Sequence, residues 1–366
     1  MPSRFGKREF GFMFFGKDFV RRHMRFVSLT DIENFIYTQV PAHCYYSTAY
    51  YRKPDAPTIG DKDWLGADLV FDLDADHLAG AENMSYPEML EQIKKEVIKL
   101  VDSFLLDDLG FDESQVHVVF SGGRGYHVHI EEKDVIGLDS YGRREIVDYI
   151  TSNGLDTNWT VASVDKGRNG SIDDFGGWEL RIINAMRGII DDVCNFGPDE
   201  VKKLYPSVKN VDNNSIKKCK IYLQESGTKI FRKEGMVSLR KDIREFLRLA
   251  TQDVMSELSG KIDEPVTTDT KRLIRLPGSI HGKSGLRVVP LSRDSLTDFD
   301  PLASAVPDQY SDDDVTIATK QDIDITIKDQ HFRLSGIASV PEYVAVLLVG
   351  RGVADIKIPL DKGFEL

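Results

Sequence analysis

The chain has 366 residues, of which 41% are hydrophobic and 29% charged, and it carries three cysteines. This apolar fraction excludes a disordered or collagen-like chain, and the length suffices for two domains or for one large core with an insertion. The longest apolar stretches fall far short of the roughly 20 residues that cross a bilayer, so we expect an intracellular, cytoplasmic protein without a membrane partner. The widely spaced cysteines form no Cys-x-x-Cys pair, which favours free thiols over disulfides.

Strand-like and helical segments alternate through the first part of the chain. The patterns predict, in chain order, a strand at 10–15, a helix at 30–39, a strand at 67–74, a helix from 85 to about 110, and strands at 115–120 and 126–130. The helix that follows Ser85 has the clearest pattern, because Ser85 and Glu88 have the spacing of a capping box and apolar residues then recur every three or four positions.

The rest of the chain has weaker patterns. Residues 157–224 are rich in Gly, Asn and Asp and then in Lys, and we interpret them as an inserted or peripheral subdomain of mixed, partly helical character. Helical periodicity returns at 239–258, and a basic segment with a Pro-Gly break and a strand follows at 271–289. Residues 323–358 predict strands and a helix that pack back on the core.

The charge is distributed unevenly. The net charge is −12, yet residues 201–244 contain 12 Lys and Arg against 4 Asp and Glu, a local net charge of +8. A basic segment on an acidic protein suits a surface that follows nucleic acid phosphates. Lysines that are simply solvated on surface helices explain the charge equally well, so both interpretations stay open.

Two aspartates at alternate positions end the strand predicted at 67–74. Because successive side chains of a strand alternate between its faces, Asp72 and Asp74 point to one face, about 7 Å apart, while Phe71 and Leu73 can be buried on the other. Neighbouring carboxylates repel each other unless a cation lies between them. Hard oxygen ligands on a rigid strand suit Mg²⁺ or Mn²⁺, with phosphates as further ligands. A calcium site or a plain acidic turn is the alternative.

A glycine-rich turn, Ser-Gly-Gly-Arg-Gly-Tyr-His at 121–127, joins the next two predicted strands. Its three glycines allow backbone N–H groups to approach an anion, and Ser121, Arg124 and His127 offer side-chain donors. The spacing fits neither a Walker loop nor a Rossmann fingerprint. Taken alone, a glycine-rich turn with an arginine is more often an ordinary hairpin.

A third segment combines an acid with a basic loop. Asp263 precedes a basic stretch, and the Pro-Gly turn at 277–278 leads to His281 and Lys283 at alternate positions of an extended loop. Both side chains would face one side, which suits a polyphosphate. An ordinary surface histidine is the alternative interpretation of His281.

Together these segments resemble a known family. Phe-Asp-Leu-Asp-Ala-Asp at 71–76, the turn at 121–127 and Arg-Leu-Pro-Gly-Ser-Ile-His-Gly-Lys-Ser-Gly at 275–285 look like the three motifs of the small catalytic subunit of archaeal and eukaryotic DNA primase, in the family's order. Arg-Glu-Phe-Gly-Phe at 8–12 looks like its entry strand. The resemblance covers nearly the whole chain and is closer to the archaeal branch. It implies an α+β fold, with a primase-type catalytic core of mixed or antiparallel sheets flanked by helices at 1–156 and 240–366 and an inserted, smaller, partly helical subdomain at 157–239.

The resemblance also implies roles for individual residues. Asp72, Asp74 and Asp263 match the catalytic carboxylates that hold two Mg²⁺ or Mn²⁺ ions, with Asp269 as the alternative third carboxylate. The residues that match nucleotide-binding positions are Ser121, Gly122, Arg124, His127, Arg275, His281, Lys283 and Arg22. Many archaeal members carry a Cys/His zinc knuckle near the active site, and since this sequence has no such cluster, we expect no structural zinc.

The implied function is that of a DNA-directed nucleotidyltransferase. It would synthesise short primers from nucleoside triphosphates on single-stranded DNA during replication, by two-metal nucleotidyl transfer, at replication forks. The implied partner is the iron–sulfur-containing large primase subunit, in a heterodimer. Two alternatives stay open: a primer-extending repair polymerase of the same superfamily, and a catalytically silent scaffold that binds single strands.

Overall fold

The computed structural model describes residues 2–156, 176–226, 231–232, 235–236, 240–311 and 313–357. The first part of the predicted subdomain, residues 157–175, lies outside these ranges, as does residue 358, the predicted end of the last segment. None of the helices in the described ranges is long and apolar enough to span a membrane.

Seventeen strands lie in the described residues. They are β1 Phe10–Met13, β2 Arg21–Met24, β3 His43–Ser47, β4 Ala49–Tyr51, β5 Trp64–Ala67, β6 Leu69–Asp74, β7 Val116–Phe120, β8 Gly125–Ile130, β9 Phe231–Arg232, β10 Gly235–Met236, β11 Leu273–Arg275, β12 Val289–Leu291, β13 Asp314–Thr319, β14 Ile323–Ile327, β15 Gln330–Leu334, β16 Ile337–Pro341 and β17 Ala354–Ile356. Every pair of neighbouring strands in their sheets is antiparallel, so the α+β class is confirmed.

Twelve α-helices accompany these strands in the described ranges. They are α1 Leu29–Gln39, α2 Tyr86–Lys99, α3 Lys133–Ile136, α4 Ser140–Thr151, α5 Gly177–Asn195, α6 Pro198–Leu204, α7 Asn213–Ser226, α8 Lys241–Leu258, α9 Glu264–Thr268, α10 Arg293–Leu296, α11 Pro301–Ser304 and α12 Glu342–Gly350. The predicted capping box of α2 is confirmed, because Ser85 and Glu88 each bond the other's backbone N–H. The helix continues as a π-helix over Leu100–Asp108.

The chain divides into two compact units. The first contains Met1–Val101, Phe111–Val147 and Lys261–Leu366, and the second contains Asp102–Gly110 and Asp148–Gly260. These boundaries differ from those that the sequence suggested at 157 and 239. Helix α8 was expected in the catalytic core, but its Phe246, Leu247 and Ala250 are buried in the apolar core of the second unit.

Two four-stranded sheets form the centre of the first unit. One has the strand order β11-β3-β1-β2 and the other β12-β7-β8-β6. Val70 of β6 belongs to the apolar cluster of the first sheet, together with Phe10 and Phe12 of β1. His129 of β8 stacks on Tyr46 of β3, with ring centroids 6.4 Å apart. The face of the second sheet that carries Val70 and His129 therefore packs against the first sheet.

The pairing of β6 with β8 in the second sheet places the first and second sequence motifs opposite each other. Asp72 of β6 pairs with His127 of β8, and Asp74 pairs with Gly125. Directly opposed residues of antiparallel strands share a face, so Asp72 and His127 lie on the face that carries Val70. The two predicted motifs meet because β6 and β8 are neighbours.

The last part of the first unit adds a small sheet and a buried helix. Strands β16, β13 and β17 form a three-stranded sheet, and β14 and β15 form a hairpin. Helix α12 buries most of its apolar side chains, including Val344 and Leu348. The end of α12 packs tightly on the loop after β11, since a Cβ on Gly350 would lie 3.0 Å from the carbonyl oxygen of Lys283.

The second unit is mainly helical in its described residues. Helices α5, α7 and α8 share one apolar core, which includes Ile182, Met186, Ile216 and Leu247. The sequence predicted mixed, partly helical character at 157–224, and in the described part of this region, 176–224, most residues are helical. Helix α5 begins after Gly176, which offers no side-chain cap, so the usual sequence signal for a helix start is missing.

Candidate active site

A cavity of about 490 Å³ in the first unit brings the three sequence motifs together. The predicted site residues that line it are Asp72, Asp74, Ser121, Arg124, His127, Arg275, His281 and Lys283. Ser284 of the third motif also lines it, as do Tyr45, Tyr86, Arg272 and Arg351, which lie outside the three motifs. Strands of both four-stranded sheets contribute to the lining, because Tyr45 and Arg275 lie on the first sheet and Asp72 and His127 on the second.

The three predicted carboxylates lie near one another. Asp72 and Asp74 are the last members of β6 on their face, and the backbone N–H of Asp263 donates to the carbonyl oxygen of Asp72 at 2.9 Å. Burial, followed by the charges of Asp74 and then Asp263, raises the pKa of Asp72 to about 7. Asp269, the alternative third carboxylate, instead accepts a hydrogen bond from the backbone of Lys271. The structure thus places Asp263 beside the pair.

The raised pKa of Asp72 reflects first its burial and then the neighbouring negative charges of Asp74 and Asp263. Within the described ranges, no three His, Cys, Asp or Glu side chains form a ready set of metal ligands. The donors that do lie here are carboxylate oxygens, which Mg²⁺ and Mn²⁺ prefer. A cation between Asp72 and Asp74 would remove the repulsion that raises the pKa of Asp72. The donor chemistry therefore fits the expected ions.

The glycine-rich turn packs directly against the loop after β11. Gly122 has a φ of +78°, and a Cβ on it would lie 2.8 Å from Cβ of His281. Ser284 donates its hydroxyl proton to the carbonyl oxygen of Gly122. Only glycine meets both the conformation and the space at this position. The second and third motifs therefore form one continuous wall of the cavity.

Arg124 follows these glycines and lies beside the carboxylates. Its guanidinium forms an ion pair with Asp76, and its Nε lies 3.9 Å from Oδ1 of Asp74. Asp76, the last residue of the first motif, is thus the partner of a predicted nucleotide-binding residue. The backbone N–H of Asp76 also donates to Asp74 Oδ1 at 3.1 Å, which fixes the carboxylate at the end of β6.

Both predicted histidines are neutral in this site. Burial, followed by the charges of Arg275 and Arg272, lowers the pKa of His127 to about 3. Burial and then Arg275 lower the pKa of His281 to about 2. The sequence had suggested that both histidines help to neutralise a triphosphate. In the cavity as it stands, that positive charge comes from arginine and lysine side chains.

His43 on β3 was missed by the sequence and holds the third motif in place. Its Nδ1 lies 2.6 Å from Nη1 of Arg275 and accepts from the backbone N–H of Gly282 at 3.1 Å. Arg275 also reaches Nε2 of His281 at 3.0 Å. An arginine only donates, so both histidine nitrogens accept. No motif indicates His43, since it lies more than 200 residues from Arg275 in the chain and only strand pairing brings them together.

Arg22 has a different environment from the other predicted residues. Its Nε and Nη2 each lie 3.1 Å from a carboxylate oxygen of the buried Glu9, and it does not line the cavity. Glu9 also accepts from the backbone N–H of His23 and lies 3.6 Å from the buried Lys62. In this structure Arg22 is part of that ion-pair cluster.

The basic stretch lies in the second unit. Lys203, Lys209, Lys217 and Lys218 are exposed there, and Lys220 donates to the carbonyl oxygen of Phe196 at 3.0 Å. Other basic residues of the stretch, Lys229 and Lys233, lie outside the described residues. Exposed lysines on α6 and α7 are compatible with both interpretations of the charge.

Comparison with known proteins gives a consistent result. The family model of the DNA primase small subunit matches residues 71–293. DNA primase small subunit PriS of Methanocella arvoryzae is 40% identical over 97% of this chain and 94% of that protein. PriS of Methanococcoides burtonii is 39% identical over 97% and 93%, and PriS of Methanothrix thermoacetophila is 40% identical over 97% and 94%.

Proposed function

The chain belongs to the DNA primase small subunit family, and on that premise we propose that its cavity is where nucleoside triphosphates are joined into primers on single-stranded DNA. This family provides the catalytic, nucleotidyltransferase subunit of primase in DNA replication. The observation that carries the proposal is the meeting of Asp72 and Asp74 with the glycine-rich turn and Lys283 at one cavity. Asp263 does not line the cavity but lies beside Asp72.

Asp72, Asp74 and Asp263 are proposed to hold two Mg²⁺ or Mn²⁺ ions. Bound there, such ions lower the pKa of an attacking 3′-hydroxyl and stabilise charge on the leaving pyrophosphate. Hydrogen bonds between the backbones of Asp263 and Asp72 and from the backbone of Asp76 to Asp74 fix the carboxylates in advance. Holding the donors in place before the reaction reduces the cost of ordering them.

The wall formed by the second and third motifs is proposed to bind the triphosphate. Arg124, Arg275 and Lys283 supply positive charge, while Ser121 and the backbone of Gly123 supply uncharged donors. Gly122, which does not line the cavity, is proposed to hold the turn against the third motif. His127 and His281 donate or accept as neutral rings, according to the proton that each carries. These groups would orient the α-phosphorus for in-line attack.

Starting a primer requires two nucleotides on the template at once. The cavity has one set of catalytic carboxylates and one phosphate wall. We propose that the large, iron–sulfur-containing subunit forms a heterodimer with this chain and helps to hold the initiating nucleotide. The exposed lysines of α6 and α7 are proposed to contact the template. These roles place the protein inside the cell, at replication forks.

The test is nucleotide incorporation by the purified chain with Mn²⁺ on a single-stranded template. Reactions with and without a primer, and with and without the large subunit, separate the candidate functions. Products made without a primer support a primase, and products made only from a primer support a repair polymerase. Template binding without any incorporation would indicate a scaffold. Asp72→Ala is the variant that should abolish incorporation while the chain stays folded.

A further inference from the structure

Arg351, the first residue after α12, lines the cavity although no sequence motif includes it. The preceding residue, Gly350, packs against the loop that carries Lys283, since a Cβ there would lie 3.0 Å from the Lys283 carbonyl oxygen. The guanidinium carbon of Arg351 lies 3.3 Å from the ring centroid of Tyr86. Arg351 is therefore held between α2 and the third motif.

Tyr86 connects Arg351 to the glycine-rich turn. Its hydroxyl donates to the carbonyl oxygen of Gly123 at 2.7 Å, and the phenol is buried. The ring therefore has one end fixed on the turn that is proposed to hold phosphates, while its face supports the guanidinium. Stacking on an aromatic ring limits the positions available to an arginine side chain. Arg351 also interacts with the Tyr86 hydroxyl, while its Nη1 has no hydrogen-bond partner and can donate to a ligand in the cavity.

The charge of Arg351 lacks an acidic partner. Within the described part of the chain, no carboxylate lies within 4 Å of it, and its buried Nη1 has no hydrogen-bond partner. A buried, unpaired donor on a charged group is costly. The nearby charge of Arg124, after the larger effect of burial, lowers the pKa of Arg351. Two guanidiniums near each other at a cavity suit an anion between them.

We propose that Arg351 binds the terminal phosphate of the incoming nucleoside triphosphate and thereby makes the site select triphosphates over diphosphates. This inference rests on the proposed function, because the triphosphate is the proposed substrate of the cavity. The positions of Arg124 and Arg351 relative to the carboxylates support the assignment of Arg351 to the terminal phosphate. The α-phosphate must lie beside Asp72 and Asp74, and Arg124 lies within 4 Å of Asp74. Arg351 forms no ion pair with either carboxylate, so it is placed for the other end of the chain of phosphates.

The test compares the binding of a nucleoside triphosphate and the matching diphosphate, with Mn²⁺ and without template. A hydrogen bond to a charged group contributes about 1.5–3 kcal/mol, which is about 10- to 150-fold in affinity. Arg351→Gln should weaken triphosphate binding by about that factor and change diphosphate binding by less than about threefold. In primer extension, KM for the nucleotide should rise more than kcat falls. Arg351→Lys, which keeps the charge, should recover part of the preference.

Two further variants separate binding from support of the fold. Arg333→Gln, at an exposed arginine of β15 that pairs with Asp324, should leave both affinities unchanged. Tyr86→Leu removes the ring that supports both Arg351 and the turn, so it should weaken the binding of both nucleotides. Arg351→Gln would behave in the same way if the arginine only braced Tyr86.

Equal weakening of triphosphate and diphosphate binding in Arg351→Gln, or no change in either, overturns the inference. The outcome is distinguishable from failure of the proposed function. A wild-type chain that makes primers while Arg351→Gln keeps the triphosphate preference refutes only the role of Arg351. A wild-type chain that incorporates no nucleotide, yet loses its triphosphate preference in Arg351→Gln, refutes only primer synthesis.

Discussion

Replacing Asp72 by Asn should abolish catalysis and yet stabilise the metal-free protein. The substitution keeps the size of the side chain and leaves the backbone bond from Asp263 intact, but it removes one of three crowded carboxylates. Catalysis should fall by orders of magnitude because a ligand of the proposed ions is removed. Stability should rise because the repulsion that raises the pKa of Asp72 disappears.

The raised pKa of Asp72 gives the size of the expected gain in stability. A rise from 3.8 to about 7 corresponds to about 4 kcal/mol against the ionised form, at roughly 1.4 kcal/mol for each pH unit. The Asp72 side chain is 25% exposed, so solvent screens part of this interaction and we expect about 2 kcal/mol. For a unit of this size, that gain should raise the midpoint of thermal unfolding by about 4–8 °C.

The pH dependence has a definite sign. A carboxyl group whose pKa is raised by folding destabilises the folded state wherever the unfolded chain ionises that group, and the penalty is complete above the folded pKa of about 7. The penalty declines as the pH falls from about 7 towards the unfolded value of 3.8. Asp72→Asn should therefore exceed the wild-type protein in stability most clearly at about pH 8 and by a much smaller margin at about pH 5.

The assay is thermal unfolding followed by circular dichroism, with a chelator and then with Mn²⁺. Asp298→Asn, at an exposed carboxylate of the first unit, is the control and should not change the midpoint at either pH. Mn²⁺ should stabilise the wild-type protein more than Asp72→Asn. A variant that is less stable than the wild-type protein at pH 8 without metal, or a stability difference that does not depend on pH, would refute the reasoning.

Three further predictions concern the wall of the cavity and the basic stretch. Gly122→Ala, at a φ of +78° and against the third motif, should lower stability by about 2 kcal/mol or more and impair nucleotide binding; an unchanged unfolding midpoint would contradict this. His43→Leu removes the acceptor that His43 offers to Arg275 and should raise KM about tenfold. His43→Asn should have a smaller effect, because the asparagine oxygen can accept a hydrogen bond. Equal effects of the two variants would argue against the positioning role of His43. Changing Lys217 and Lys218 to Gln should make the slope of log K against log salt concentration for single-strand binding shallower by about 0.7 for each phosphate that is no longer neutralised. An unchanged slope would exclude these lysines from the template interface.

The parts of the site that could be predicted depend on patterns among residues that are close in the sequence. The alternation of a strand places Asp72 and Asp74 on one face, and the glycines of the second motif indicate a close backbone approach. Each of these statements depends on residues within a few positions of one another. The capping box at Ser85 was predictable for the same reason, because its two partners are three residues apart.

The residues that were missed depend on contacts between distant parts of the chain. His43 reaches Arg275 because β3 pairs with β11, and Arg351 reaches Tyr86 because α12 packs in the first unit. The protonation state of His127 also could not be predicted from neighbouring residues in the sequence, since its low pKa results first from burial in the folded protein. Sequence patterns do not report how deeply a histidine is covered.

The distribution of charge in the cavity implies that the metal and the nucleotide assist each other's binding. The carboxylates of β6 repel a free triphosphate, and the charges of Arg275 and Lys283 repel a free cation. Each ligand removes the repulsion that opposes the other, and by linkage the two effects on affinity are equal. Mn²⁺ should therefore tighten triphosphate binding by about 5- to 150-fold, the usual range of such coupling, and Asp72→Asn should remove most of that gain. Equilibrium binding with chelator or Mn²⁺ measures this, and a triphosphate that binds equally well in both would mean that the carboxylates and the phosphates do not share one site.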